Sequence, residues 1–230
     1  GGTRYGHMIT IARSRSPWGP FEPCPHNPIL THRHISSSYI RHTGHGELFE
    51  AHDGSWWMVC LGTRHHIYED ASILGRETFL MPVTWTEDGW PVVNGDGTVP
   101  LEFEIEGIPP HPWSLPPVRD DFNSEKLNLC WNFLRNPSED SWSLTERKGF
   151  LRLKGLASTL SDTDAKAFIG RRQQHFNFSA QVLLDFEPMH DGEEAGLCVM
   201  CRDTYHYEIA VTRQEGHKKI ILRKRVEDIT

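Results

Sequence analysis

The chain has no run of about 18 apolar residues, the length a helix needs to cross the hydrocarbon layer, so no membrane partner is expected. It also lacks a basic excess. Against 24 Lys and Arg stand 31 Asp and Glu, for a formal charge of −7 over 230 residues, which argues against a sequence-independent grip on phosphate backbones and so against nucleic acid. Cysteine is sparse and odd in number at five, which excludes a disulfide-stapled secreted scaffold and leans towards thiols in a reducing, cytoplasmic setting. Cys198 and Cys201 form a C-x-x-C within LCVMCR, but no second ligand pair at metal spacing follows, so both are assigned to core packing, on opposite faces of a strand. There is no glycine-rich phosphate loop, no G-x-S-x-G elbow and no dinucleotide fingerprint. The chain opens Gly1-Gly2-Thr3 without Met or leader and closes in KKIILRKRVEDIT, which reads as a piece of a longer protein and leaves its location open.

What the sequence does hold is short apolar segments divided by Gly, Pro, Asp and Asn. HMITIA, SWWMVCLGT, TFLMPVTW and WPVV are too short for most helices and rich in β-branched and aromatic residues, so they are read as strands. SPWGPFEP, HDGSW and EDGWPV read as turns, and the recurrence of the D-G-[SW]-W pattern suits repeated hairpins in propeller blades. The stretch GIPPHPWSLPPVRDD carries five prolines, cannot propagate a helix, and marks a boundary: residues 1–113 form one domain, 114–120 a linker and 121–230 a second. Beyond it WSLTER, GFLRLKG, FSAQVLLDF, AGLCVMCR, YHYEIAVTR and KKIILRKR alternate with turns at β-sandwich spacing. No segment has a helical period, so the fold class is all-β.

Fourteen histidines invite a metal reading, yet His32 with His34 and His65 with His66 lack partners at ligand spacing and are expected in solvated loops. His45 differs, because the flanking glycines of G-H-G permit close backbone approach and leave its ring uncrowded. Glu47, Glu50, Asp53, Glu77 and Asp121 are the carboxylates available to a glycosidase, whose inverting form needs an acid and a base about 6.5–9.5 Å apart with water between. Asp53 is accounted for by its turn and Glu50 by a strand end. Glu77, after Gly75-Arg76, forms a surface ion pair or orients an arginine offered to a ligand; the planar fork of Arg76 suits hydroxyl and carboxylate contacts. The tryptophans could stack on sugar rings, but Trp57 and Trp85 lie in strand-like runs and are expected in the core. The sequon at Asn177 carries no weight within a strand-like segment.

In order along the chain, GGTRYGHMITIARSRSPWGPFEPCPHNPIL, GHGELFEAHDGSWWMVCLGTR and LGRETFLMPVTWTEDGWPVVN resemble consecutive segments of glycoside hydrolase family 43, in its β-xylosidase branch. DDFNSEKLNLCWNFLRNPSEDSWSLTERKGFLRLKG and FIGRRQQHFNFSAQV resemble the concanavalin-like β-sandwich appended to that branch. The resemblance implies a partial five-bladed β-propeller followed by a sandwich, each incomplete, with strand edges prone to aggregation. It implies inverting hydrolysis of terminal β-1,4-xylose from xylo-oligosaccharides; some members of the family act on α-L-arabinofuranosides, so an arabinose-bearing oligosaccharide is the other substrate.

The family's catalytic residues, an Asp base, an Asp that tunes the acid and a Glu acid, lie upstream of the GGT motif, so the resemblance implies that this chain holds none of them. It carries over three pocket positions: Thr3 of GGT lining the sugar site, His45 beneath it near the propeller axis, and Arg76 of L-G-R-E contacting the non-reducing sugar. In metal-activated members the axial histidine ligates a divalent cation, commonly calcium, so His45 is the metal candidate, although a hard cation prefers oxygen and one imidazole makes a weak site. Glu47 stands where the family more often has Asp. No other cofactor is expected, and self-association into a homo-oligomer is left open. Two rival readings are a non-catalytic carbohydrate-binding protein and a plain interaction module.

Overall fold

The computed structural model describes residues 6–65, 72–115, 117–164 and 166–230. Two compact units divide them, Gly1–Pro112 with Gln174–Phe176, and Trp113–Gln173 with Asn177–Thr230. Among the described residues the chain is all-β apart from one 3-10 turn at Glu139–Ser141, and no helix is long and apolar enough to cross a membrane.

The first unit opens with a short pair, β1 (Ala12–Arg13) and β2 (Glu22–Pro23), and continues into a four-stranded antiparallel meander: β3 (Ile40–Glu50), β4 (Trp56–Arg64), β5 (Glu77–Trp85) and β6 (Pro91–Val93). The pleat sorts residues two by two. Met58 faces Met81 and Cys60 faces Phe79 across β4 and β5, and Met58, Cys60, Met81, Val83 and Val93 join Ile29, Leu30, Ile40 and Trp90 in one apolar core. The two D-G turns close on the same device, a side-chain oxygen that satisfies the bend. Asp53 Oδ1 accepts from the Ser55 amide at 3.0 Å and its hydroxyl at 2.6 Å, while Asp88 Oδ1 accepts from the Thr86 hydroxyl at 2.6 Å; Gly54 and Gly89 occupy φ of 83° and 80°.

Several expectations need correction. HMITIA does not form a strand of its own, since Ile9 makes only an isolated bridge to Leu30. The eleven-residue β3, glycine-rich and without an apolar alternation, is a strand that its sequence does not announce. Trp57 is buried, but Trp85 is 42 % exposed and meets Trp56 edge-on at 5.0 Å. The largest correction concerns His32 and His65, which are buried at 6 % and 2 % exposure and not solvated.

His32 holds two distant stretches together. Its Nδ1–H donates to the Ile40 carbonyl at 2.7 Å and its Nε2 accepts the Val99 amide at 2.7 Å, an arrangement that only the neutral ring can make. Burial holds its pKa below the ordinary imidazole value of 6.5. Below that pH the unfolded chain takes up a proton that the folded chain refuses, so this contribution is complete above the unfolded pKa and is lost as pH falls through it. The denaturation midpoint is therefore expected to drop between about pH 7.5 and about pH 5.5, and His32→Gln to flatten that slope. Equal slopes in both proteins would remove the assignment.

In the second unit, short pairs join β7 (Trp131–Phe133) to β10 (Ile169–Arg171) and β8 (Trp142–Ser143) to β9 (Arg152–Leu153). A three-stranded meander follows, of β11 (Glu194–Arg202), β12 (Tyr205–Gln214) and β13 (His217–Val226). AGLCVMCR, YHYEIAVTR and KKIILRKR are its strands, whereas FSAQVLLDF makes no ladder among the described residues and leaves Leu183 at 82 % exposure. One face of the meander presents Val199, Tyr207, Ile209, Ile220 and Leu222, all exposed. The other carries a charge network: Arg223 donates to both oxygens of Glu194 at 3.0 and 2.9 Å and to Glu208 at 3.1 Å, and Glu208 also meets His206 at 3.2 Å. The C-x-x-C is corrected in part. Cys198 is half-buried and its thiol is pushed up to about 11 by burial, but Cys201 is exposed, because a bulge between Met200 and Arg202 takes it out of the ladder.

Candidate active-site surface of the first unit

The three positions carried by the resemblance fall differently. Thr3 lies outside the described residues. His45 and Arg76 lie on β3 and immediately before β5, the strands that flank β4, and both are exposed.

His45 owes its placement to an irregular β3. The ladder to β4 shifts register between Arg41 and Gly44 and again between Gly44 and Glu47, with His42 and His45 in left-handed backbone at φ of 57° and 48°. Non-glycine residues rarely adopt that region, and two such residues in one strand re-aim the backbone twice. The packing around the bulges leaves no room for side chains at the two glycines. A Cβ on Gly44 would lie 2.4 Å from the His7 ring, and one on Gly46 would lie 2.4 Å from Ile9 Cδ1 and 2.9 Å from the Val59 carbonyl oxygen. The glycines of G-H-G thus serve close approach, as the sequence suggests.

A histidine array braces the first bulge. His7 Nδ1–H donates to the His42 carbonyl at 2.7 Å, His42 Nδ1 lies 2.8 Å from the Thr63 hydroxyl, and His65 Nε2 lies 2.7 Å from the same oxygen. Because the Thr63 hydroxyl donates to the Arg41 carbonyl at 3.2 Å, its oxygen accepts from both rings. None of these residues was singled out for function in the sequence. The signal was available only as spacing, since His42 and His65 meet once Arg41 is opposite Thr63 in the ladder.

Arg76 stands on a turn made by Gly75 at φ 74°, with its side chain in solvent. Its neighbour Glu77 is engaged by another residue: Arg64 grips both carboxylate oxygens, Nε at 2.9 Å and Nη2 at 2.8 Å. Gly62 lies opposite Glu77 in the ladder, and Arg64, two residues on, reaches diagonally across the face. Glu77 is therefore ion-paired with Arg64 and not with Arg76, its neighbour in the sequence.

The five candidate carboxylates are each exposed or engaged separately. Glu47 and Glu50 are exposed on β3, Glu77 is clamped, and Asp121 pairs with Arg119 at 2.5 Å. Asp53 is held below the ordinary carboxylate range by the Ser55 hydroxyl and amide, the opposite of what a general acid requires. Nor do the described residues form a cation cage. No group of three or more His, Cys, Asp or Glu among them could hold a metal, and His45 offers a single imidazole, so no chemical step is assigned to a metal here.

Comparison with known proteins agrees with this architecture. Residues 1–91 match the description "Glycosyl hydrolases family 43", and residues 119–229 match "Beta xylosidase C-terminal Concanavalin A-like domain". The non-reducing end alpha-L-arabinofuranosidase BoGH43B of Bacteroides ovatus is 46% identical over 228 residues, covering 99% of this chain and 43% of that protein. Among solved structures, the Bacteroides ovatus xyloglucan PUL GH43B superposes with a TM-score of 0.88 at 44% identity, over 99% of this chain and 45% of that one. The xylan beta-1,4-xylosidase of Bacillus halodurans C-125 gives 0.84 at 32% identity, over 98% and 46%. The chain thus spans less than half the length of each of these proteins. With part of a propeller in its first unit and a concanavalin-like domain in its second, the chain belongs to glycoside hydrolase family 43.

Proposed function

We propose that the protein carrying this chain is a glycosidase of xylan breakdown that removes terminal β-1,4-linked xylosyl residues from xylo-oligosaccharides with inversion. In this reading Thr3, His45 and Arg76 shape the sugar subsite, and the three catalytic carboxylates lie outside these 230 residues. The observation that carries it is Arg76: an exposed guanidinium on a glycine turn, its neighbouring carboxylate already clamped by Arg64, in a family of sugar hydrolases. Five N–H donors in a rigid plane match the adjacent hydroxyls of a terminal sugar. Inversion then asks of this chain only that it hold the sugar while an acid and a base, supplied elsewhere, act from opposite sides of the ring.

A second reading is favoured by the 46% identical relative, which is named as an α-L-arabinofuranosidase. Paired aryl β-xyloside and aryl α-L-arabinofuranoside substrates, offered to a polypeptide joining this chain to the rest of the propeller, separate the two. Faster turnover of the arabinoside overturns the xylosidase assignment, and turnover of neither leaves a carbohydrate-binding protein. In that polypeptide Arg76→Ala is expected to lower kcat/KM about tenfold to a hundredfold, the loss of a hydrogen-bonding cation. An unchanged kcat/KM would take Arg76 out of the site.

A further inference from the structure

We propose that Arg64 is a positioning residue: by occupying both oxygens of Glu77 it stops that carboxylate from capturing Arg76, which therefore stays available to ligand. The inference rests on the reading of Arg76 as the sugar contact. Its physical basis is local. Arg76 precedes the first residue paired in β5, so the pleat that sends neighbours to opposite faces does not yet hold its side chain away from Glu77. An arginine beside an unclaimed carboxylate forms an ion pair with it, and a guanidinium so engaged has fewer donors for a sugar.

The competition is decided by geometry. Arg64 meets Glu77 fork to fork at 2.9 and 2.8 Å, with side chains 34% and 27% exposed, whereas Arg76 is in solvent. Two parallel charge-assisted bonds in a partly dry setting outweigh one exposed contact. Arg64 reaches Glu77 diagonally past Gly62, where an added Cβ would press on the Phe79 ring at 3.0 Å and on Ile40 Cγ2 at 3.3 Å. Arg64 touches no ligand in this scheme and acts through Glu77 alone.

The test reads Arg76 directly, without any sugar. In this chain the rate at which phenylglyoxal modifies Arg76, followed by peptide mapping, is expected to fall about threefold to fivefold in Arg64→Met, since Glu77 then pairs with Arg76. Removing the carboxylate as well, in Arg64→Met with Glu77→Gln, restores the original rate. A purely structural role for Arg64 predicts no such rescue, so an unchanged rate in the single variant, or a double variant as slow as the single, overturns the proposal. Should Arg64→Met fail to fold, Arg64→Lys keeps one bond to Glu77 and is expected to slow Arg76 partway; no slowing would equally overturn it. In the polypeptide that completes the propeller, KM should rise and recover in the same pattern. Reactivity that follows the pattern while KM does not would keep the positioning role and discard Arg76 as the sugar contact.

Discussion

Gly46→Val is expected to destabilise the first unit by about 3 kcal/mol and to displace His45. A Cβ at this position would lie 2.9 Å from the Val59 carbonyl oxygen, which is backbone and cannot turn away, and 3.2 Å from Cys60 Cβ, in addition to Ile9 Cδ1 at 2.4 Å. Only the isoleucine methyl can yield cheaply. To seat valine, β3 must lift from β4 at the second register shift, where His45 holds its left-handed backbone. Gly54→Ala is the control. That glycine has φ 83° but open space around the missing Cβ, so the substitution costs only the left-handed strain of about 1 kcal/mol. Urea midpoints of the two variants check the contrast, and similar losses would mean that crowding at Gly46 does not fix β3.

Arg223→Met is the second large effect, with about 2–4 kcal/mol lost from the second unit. The arginine serves Glu208, whose side chain is 12% exposed, and Glu194, at 30%. Taking away the cation leaves two carboxylates four residues apart in register on one sheet face, the more buried of them keeping His206 alone as a partner among the described residues. Removing one partner of such a network costs more than the pair contributes, because the remaining charge stays where water cannot fully reach it. The double variant Arg223→Met with Glu208→Gln should regain part of the loss by removing the stranded charge. A double variant no better than the single one would show that Arg223 acts through packing of its stem.

Much of this was legible in the sequence, for reasons that can be named. SWWMVCLGT and TFLMPVTW combine aromatic and β-branched residues with a D-G turn at one end, and those local signals suffice for β4, β5 and the hairpins after Asp53 and Asp88. The three strands of the second unit were legible for the same reason, as was the freedom of approach at Gly44 and Gly46. What escaped was whatever depends on register. β3 carries two bulges and few apolar residues, so no period of two survives in its sequence. His32 reads as a loop histidine because its partners, Ile40 and Val99, are 8 and 67 residues away. Arg64 and Glu77 meet only after Gly62 is placed opposite Glu77. FSAQVLLDF fails in the opposite sense: its composition is that of a strand, but composition supplies no neighbour to pair with.

The claim that this chain holds the sugar while the chemistry is supplied elsewhere is tested most directly by assaying the 230-residue chain itself, purified free of host glycosidases, against aryl β-xyloside and aryl α-L-arabinofuranoside. The account predicts no hydrolysis of either. Hydrolysis that Arg76→Ala abolishes would contradict it, since the catalytic carboxylates would then have to be among the residues present.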